Sequence, residues 1–339
     1  MVQLAAASIQ NDRPGDPGYE ERLAAFEARV ERGDKVEPGD WMPNDYRQQL
    51  IRLIHVHANS EICGALPEGT WICHAPSLKR KLALIAKVQD EVGHGQLLYR
   101  AAETLGKPRE EMLDELISGK AKYSNVFHYP AETWADVCVI AWLIDAAAIV
   151  NQKMMAEGSY GPYARALKRI CYEEAFHLTH GYDMCISLAT GTKLQKKMLQ
   201  DAINRWWKPI MMFHGPSDRE SKHTAQLMRW RIKLKTNDEQ RQEFLRKYLP
   251  KMFNLGLTVP AEWNMQFDEA TKTWTYTEPD WTEFKNVVNG RGPVSDQRLA
   301  TRRLSHENGR WVRDALEAAA AGRRAPMPPA AATVAVPVG

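Results

Sequence analysis

Two Glu-x-x-His strings stand 83 residues apart: QDEVGH, with Glu91 and His94, and YEEAFH, with Glu174 and His177. At i and i+3 of a helix the two side chains share a face, so each string offers a carboxylate and an imidazole to one point in space. Each string also has an acidic residue at a matching distance upstream, Glu61 30 residues before Glu91 and Asp145 29 residues before Glu174. The midpoints of these intervals fall at Pro76 and within Gly158–Pro162, where turn-forming residues cluster. In an antiparallel helical hairpin, residues equidistant from the turn lie side by side, so Glu61 faces Glu91 and Asp145 faces Glu174. Four helices then carry four carboxylates and two imidazoles to one level of a bundle, the ligand pattern of di-iron and di-manganese carboxylate sites.

The second half of the pattern explains an oddity. Asp145 interrupts the apolar run VCVIAWLIDAAAIV, Val137 to Val150. An ionised carboxylate in such surroundings is costly unless it is paired, neutralised or bound to a cation. A metal against Asp145 removes the cost, and Ala141 and Ala148 leave room for it. The alternatives are a hydrogen bond to a Lys or Tyr, or a register that meets water. Mixed carboxylate and imidazole ligands suit Fe or Mn, and the lack of thiolates counts against structural zinc. Around these six, Asp90 and Glu173 each precede a ligand Glu and can accept the outer N–H of a ligand histidine across the bundle, if they are not plain solvated acids. Lys87, four residues before Glu91, shares its face and can pair with the ligand carboxylates when metal is absent, unless it snorkels to the surface. His180 reads as a polar neighbour, and His55 and His57 point to different faces and carry little weight.

The rest of the chain fits a mostly helical protein. Its 339 residues are 44% hydrophobic, enough for one large core. A formal net charge of +3 gives no argument for nucleic acid. Five scattered cysteines without a C-x-x-C suggest reduced thiols in a cytosolic protein. No basic segment followed by a long apolar core opens the chain, so no signal peptide is expected. The Val137–Val150 run is shorter than the roughly 20 residues that span a bilayer, so it reads as a buried helix and no membrane partner is expected. Helices are expected over about 44–65, 76–104, 109–118, 132–157, 160–189, 193–213, 219–233, 237–254 and 297–320, with a small hairpin over Met265–Thr277. Residues 1–20 are expected to be loose, 21–320 to form a single domain, and 321–339, Pro- and Ala-rich, to be disordered.

The strings WMPNDYRQQLIRLIHVHANSE, LPEGTWI, LIAKVQDEVGHG, LIDAAAIVNQ, SYGPYARALKRICYEEAFH, LQDAINRWW and NGRG carry a family resemblance. From about Trp41 to Ala315 the chain resembles the catalytic α subunits of the phenylacetyl-CoA epoxidases, which are bacterial multicomponent di-iron oxygenases. The resemblance implies an all-α, ferritin-like four-helix bundle core with extra helices and a small C-terminal β-hairpin appendage. It implies two Fe ions held by Glu61, Glu91, His94, Asp145, Glu174 and His177. With dioxygen they would epoxidise the aromatic ring of phenylacetyl-CoA in aerobic phenylacetate degradation, the second oxygen atom leaving as water. Expected partners are a related non-catalytic helical subunit, a small assembly subunit, and a flavin/iron–sulfur reductase that brings electrons from NADPH. The chain has no G-x-G-x-x-G fingerprint and no cysteine framework for a cluster, consistent with electrons arriving from elsewhere. Trp142 and Ile149 are candidates for the ring pocket. For the CoA phosphates the candidates are Lys79, Arg80 and Lys81, and Arg165, Lys168 and Arg169. Rival readings are a benzoyl-CoA epoxidase-like enzyme, a ferroxidase, a metal-free scaffold protein, and a ribonucleotide reductase-like protein. The last needs a tyrosine one turn after the first ligand histidine, where Leu98 stands with Tyr99 one position off.

Overall fold

The computed structural model describes residues 13–221 and 223–321. Residues 1–12 of the expected loose N-terminus and 322–339 of the expected disordered tail lie outside the described residues. The chain divides into a large unit ending at Ser295 and a smaller one beginning at Asp296.

The large unit opens with a helix that the sequence reading did not anticipate, α1 (Tyr19–Glu31). Pro14, Gly15, Pro17 and Gly18 precede it and made the region read as loose. Its stability is tertiary, because Phe26 packs edge-on against Trp41 and Tyr46. The bundle follows: α2 (Asn44–Trp71), α3 (Leu78–Glu103), a segment in three parts, and α7 (Gly161–Ala189). The three parts are α5 (Trp134–Val139), a π-helical turn (Ile140–Ile144) and α6 (Asp145–Met155). The short α4 (Arg109–Ser118) lies between α3 and α5 in the chain. Around the bundle stand α8 (Lys193–Met212), α9 (Thr224–Arg229), α10 (Asn237–Asn254) and α11 (Trp281–Asn286). The expected hairpin is present as β1 (Gln266–Asp268) paired antiparallel with β2 (Thr273–Thr275). The fold is all-α with this small C-terminal strand pair. In the smaller unit, the helix expected over 297–320 is split at Gly309 into α12 (Ser295–Asn308) and α13 (Arg310–Ala320).

α2 runs six residues past its expected end, through Leu66-Pro67-Glu68-Gly69. Local turn chemistry is overridden by burial: Pro67 and Glu68 both point inward, and Glu68 meets a buried lysine there. The helical stretch Trp134–Met155 is 22 residues long and apolar enough to cross a membrane, but its most apolar window is 83% buried inside the protein. It is a core element, as expected from its sequence.

Two apolar cores frame the bundle. One gathers Trp142, Trp206, Trp207 and Phe244 with the second half of α7; the other gathers Tyr46, Leu50, Ile54 and Tyr99 with the first half of α7. Glu174 and His177 lie in the stretch of α7 between them. Here α7 also touches backbone: a Cβ on Gly181 would sit 2.1 Å from the Ala141 carbonyl oxygen in the π-helical turn. Ala141 therefore packs on α7 and does not serve as open space beside Asp145. Only a residue without Cβ permits this approach. Gly181→Ala is expected to destabilise the protein by about 3 kcal/mol through overpacking, and thermal unfolding would show it. An unchanged melting temperature would mean that the π-helical turn yields freely.

Candidate metal centre

Each ligand-type residue comes from a helix that holds it by its neighbours. α2 presents Glu61, α3 presents Glu91 and His94, α6 begins with Asp145, and α7 presents Glu174 and His177; all six are buried. Glu61, Glu91, His94 and Glu174 each place one donor atom within 4.8 Å of the others, and so do Glu91, Asp145, Glu174 and His177. The two groups share Glu91 and Glu174, so the geometry offers two adjacent cation positions with two carboxylates common to both.

The imidazoles are oriented alike. Nδ1 of His94 faces inward, 3.7 Å from Glu61 Oε2 and 3.5 Å from Glu174 Oε1. Nδ1 of His177 lies 3.4 Å from Glu91 Oε1 and 3.1 Å from Glu174 Oε2. Each Nε2 points outward to a carboxylate on the opposite helix: His94 to Glu173 at 3.0 Å and His177 to Asp90 at 3.2 Å. These crossed pairs fix both rings with Nδ1 toward the centre, the orientation that a carboxylate partner imposes on a metal-binding histidine.

Lys87 occupies the same buried space. Its Nζ lies 2.7 Å from Glu68, 2.5 Å from Glu91 and 3.2 Å from Asp145. Burial opposes its charge, but Asp145, Glu68 and Glu91 outweigh burial and hold the ammonium well above its ordinary pKa. Burial and the neighbouring carboxylates push Asp145 well above the usual carboxylate range. Glu174 is likewise opposed by burial and by Glu91, yet the His177 hydrogen bond and the nearby His94 imidazole bring it down to about 2. Both histidines rise to about 11, the carboxylates outweighing burial.

Cation-binding character shows in atoms the protein leaves unsatisfied. Among the described residues His94 Nδ1 is buried with no hydrogen bond of proper geometry, and Asp145 Oδ2 has only the Lys87 ammonium beside it, at 3.2 Å. An imidazole nitrogen without a hydrogen bond, aimed into a cluster of carboxylates, and a carboxylate oxygen that faces a positive charge fit a divalent cation. This buried Glu/His cluster can bind metal.

A cavity of about 310 Å³ opens onto the cluster and is lined by Glu61, Glu68, Lys87, Glu91, Asp145 and Glu174 on one side. The rest is largely apolar, including Phe127, Ile140, Ile144, Phe213, Phe284 and Val288. Trp142 and Ile149 do not line it. At about 100° per residue, Ile144 and Ala148 lie on one side of Asp145 and those two on the other. Trp142 packs instead on Tyr182, with ring centroids 4.9 Å apart.

Glu68 escaped the sequence reading because the proline and glycine flanking it signal a turn. Its spacing of seven from Glu61, two helical turns on one face, was the available clue. Gln152 and Tyr163, also on the cavity wall, escaped as well, and His57, given little weight from its sequence position, lines the cavity beside them. The basic clusters are engaged elsewhere: Arg165 grips Glu37 with both nitrogens, Lys168 and Arg169 pair with Glu157 and Glu173, and Lys81 binds the carbonyls of Ile72 and Cys73. Arg80 faces His180 Nδ1 at 3.2 Å. Tyr99 donates to Asn59 at 2.5 Å and does not line the cavity, which leaves the reductase-like reading without its tyrosine.

Burial and then Arg80 push His180 down to about 4. The unfolded chain takes up this proton near pH 6.5, so stability due to a neutral His180 is complete above that pH and is lost as pH falls toward 4. A loss on the order of 3 kcal/mol is expected over that window, and His180→Phe should flatten it in urea unfolding at pH 7 and pH 4.5. An equally steep loss in the variant would refute the assignment.

Comparison with known proteins gives three further findings. Residues 20–311 match the model of a family described as phenylacetic acid catabolic protein. The chain is 51% identical over 290 residues to one of the subunits of the 1,2-phenylacetyl-CoA epoxidase of Escherichia coli K12, covering 86% of this chain and 94% of that one. It is 29% identical over 144 residues to a second, different subunit of the same enzyme, covering 41% of this chain and 57% of that one.

Proposed function

The chain belongs to the phenylacetic acid catabolic protein family, and on that premise we propose that it is the catalytic subunit of a multicomponent monooxygenase that epoxidises the aromatic ring of phenylacetyl-CoA. One observation carries the reading: two overlapping donor groups, sharing Glu91 and Glu174, form the floor of an apolar cavity. We assign iron to both positions, because carboxylates and imidazoles without thiolate suit it. Glu61, Glu91, His94, Asp145, Glu174 and His177 would hold the pair. The metal supplies dioxygen activation and two-electron chemistry. The chain's residues do the rest. Phe127, Ile140, Ile144 and Phe213 take the ring and exclude water, while Glu173 and Asp90 hold the imidazoles in place. A scaffold protein has no need of this complete donor set.

Other subunits belong to such an assembly, as the likeness to two different subunits of one enzyme indicates. The proposed partners are a related helical subunit, a small assembly subunit and a reductase that draws electrons from NADPH; the reaction is placed in the cytoplasm. Leu82, Ile85 and Val92 on α3 and Tyr172 and Phe176 on α7 are exposed, Tyr172 by 84%. These two helices meet at the crossed histidine–carboxylate bonds. Exposed apolar side chains on neighbouring helices favour an interaction site, and we assign this one to the related helical subunit. Leu82→Glu with Phe176→Glu is expected to abolish co-purification with that subunit while helicity is retained; undiminished co-purification would place the partner elsewhere.

The function itself is tested by purifying the chain with its partners, measuring bound iron, and assaying oxygenated thioester from phenylacetyl-CoA, NADPH and dioxygen. Iron-dependent product is the expected result. Iron without product from this thioester, but with product from benzoyl-CoA, would reassign the substrate; no iron would overturn the reading.

A further inference from the structure

Glu61 and Asp145 hold matching places in the two halves of the site, yet their surroundings differ. Asp145 meets Lys87. Glu61 is approached on one oxygen by an imidazole and an amide. Its Oε1 lies 2.8 Å from Nε2 of His57, one helical turn earlier on α2, and 3.3 Å from Nε2 of Gln152, two turns beyond Asp145 on α6. His57 is fixed in turn, its Nδ1 2.7 Å from the hydroxyl of Tyr163 in the first turn of α7. Gln152 Nε2 reaches His57 Nε2 as well, at 3.5 Å, so the amide, the imidazole and the Glu61 carboxylate meet at one point. Met155 Sδ, also near the Tyr163 hydroxyl at 3.6 Å, is a weak acceptor. Tyr163 on α7 thus joins His57 and Glu61 on α2, and Gln152 adds a contact from α6.

Oε1 thus accepts from Gln152 and lies against His57 Nε2. Oε2 is the oxygen that faces His94 Nδ1. We infer that His57, Gln152 and Tyr163 are positioning residues that pin Glu61 by Oε1, leaving Oε2 as its single donor to the metal position shared with His94. The inference rests on the reading of Glu61 as a metal ligand. It makes the two positions unequal. The Glu61 carboxylate is restrained from swinging to chelate or bridge. Among the described residues Asp145 has no such pair of contacts; its Oδ2 faces the Lys87 ammonium at 3.2 Å.

The test uses the full chain assembled with its partner subunits and loaded with ferrous iron. It reads ferrous-iron affinity at each position and the Mössbauer spectrum of the reduced protein. His57→Leu removes both the contact with Glu61 and the link to Tyr163. His57→Gln keeps an N–H near the place of Nε2, and Tyr163→Phe removes only the outer link. His57→Leu is expected to weaken one of the two ferrous positions about tenfold and to change one of the two ferrous signals. His57→Gln is expected to restore the wild-type signal, and Tyr163→Phe to give a smaller change of the same kind. Wild-type signals in His57→Leu would overturn the inference while leaving the di-iron reading intact. Should that variant fail to fold, Tyr163→Phe and Gln152→Leu decide, and wild-type affinity and spectra in both would overturn it. Absence of iron from the wild-type complex would instead defeat the underlying assignment.

Discussion

Glu91→Ala is expected to remove iron from both positions and to abolish epoxidation, whereas Glu61→Ala is expected to remove only half the iron. The difference follows from which atoms are shared. Glu91 belongs to both groups of converging donors and Glu61 to one. Loss of an outer hydrogen-bond partner typically weakens a metal site 10- to 100-fold, and loss of a shared direct ligand should exceed about 100-fold at each position. Glu174→Ala should behave as Glu91→Ala does, and Asp145→Ala as Glu61→Ala does. Iron per chain, measured by chelator colour after desalting, separates the two classes, and product formation is measured on the same samples. A Glu91→Ala protein that kept its full iron would break the assignment of shared ligands. Equal losses from Glu61→Ala and Glu91→Ala would mean that the two positions fill only together.

The parts of this site legible in the sequence were those set by helical periodicity. Glu-x-x-His places two donors on one face whatever surrounds it, and equal distances from a turn place carboxylates opposite each other. Lys87, Asp90 and Glu173 were reachable by the same reasoning, since each is tied by spacing to a ligand. Which histidine each outer carboxylate would meet required the bundle's third dimension. The crossed pairing, His94 with Glu173 and His177 with Asp90, depends on how α3 lies against α7. Glu68 was hidden because Pro67 and Gly69 speak for a turn, and only the buried bond to Lys87 explains the continuing helix. The π-helical turn was invisible for the same kind of reason. Its extra residue is set by the close approach of Gly181 to Ala141, a contact between segments 40 residues apart. That turn immediately precedes Asp145, while the cavity face keeps a four-residue spacing through Ile140, Ile144 and Ala148 and bypasses Trp142.

Lys87→Met is expected to make the protein's stability depend on metal. In the metal-free chain, Lys87 is fully buried and in contact with Glu68, Glu91 and Asp145. Replacing it with an apolar side chain of similar length leaves those carboxylates facing one another without their ammonium. Breaking a buried ion pair by removing one partner typically costs about 3–5 kcal/mol, because the remaining charge is stranded. Part of that cost is escaped by protonation. Burial and neighbouring carboxylates already push Asp145 and Glu68 upward, so both can take up a proton and become neutral. The loss should therefore be larger at pH 8 than at pH 5. Divalent iron supplies positive charge to Glu91 and Asp145 directly, so iron should restore most of the stability in the variant while stabilising the wild type less. Urea unfolding with and without a chelator, at both pH values, measures all four combinations. An equal loss in metal-free and iron-loaded protein would show that Lys87 supports the packing of α2 and α3 regardless of charge. No loss in either would show that the carboxylates around it are neutral before it is removed.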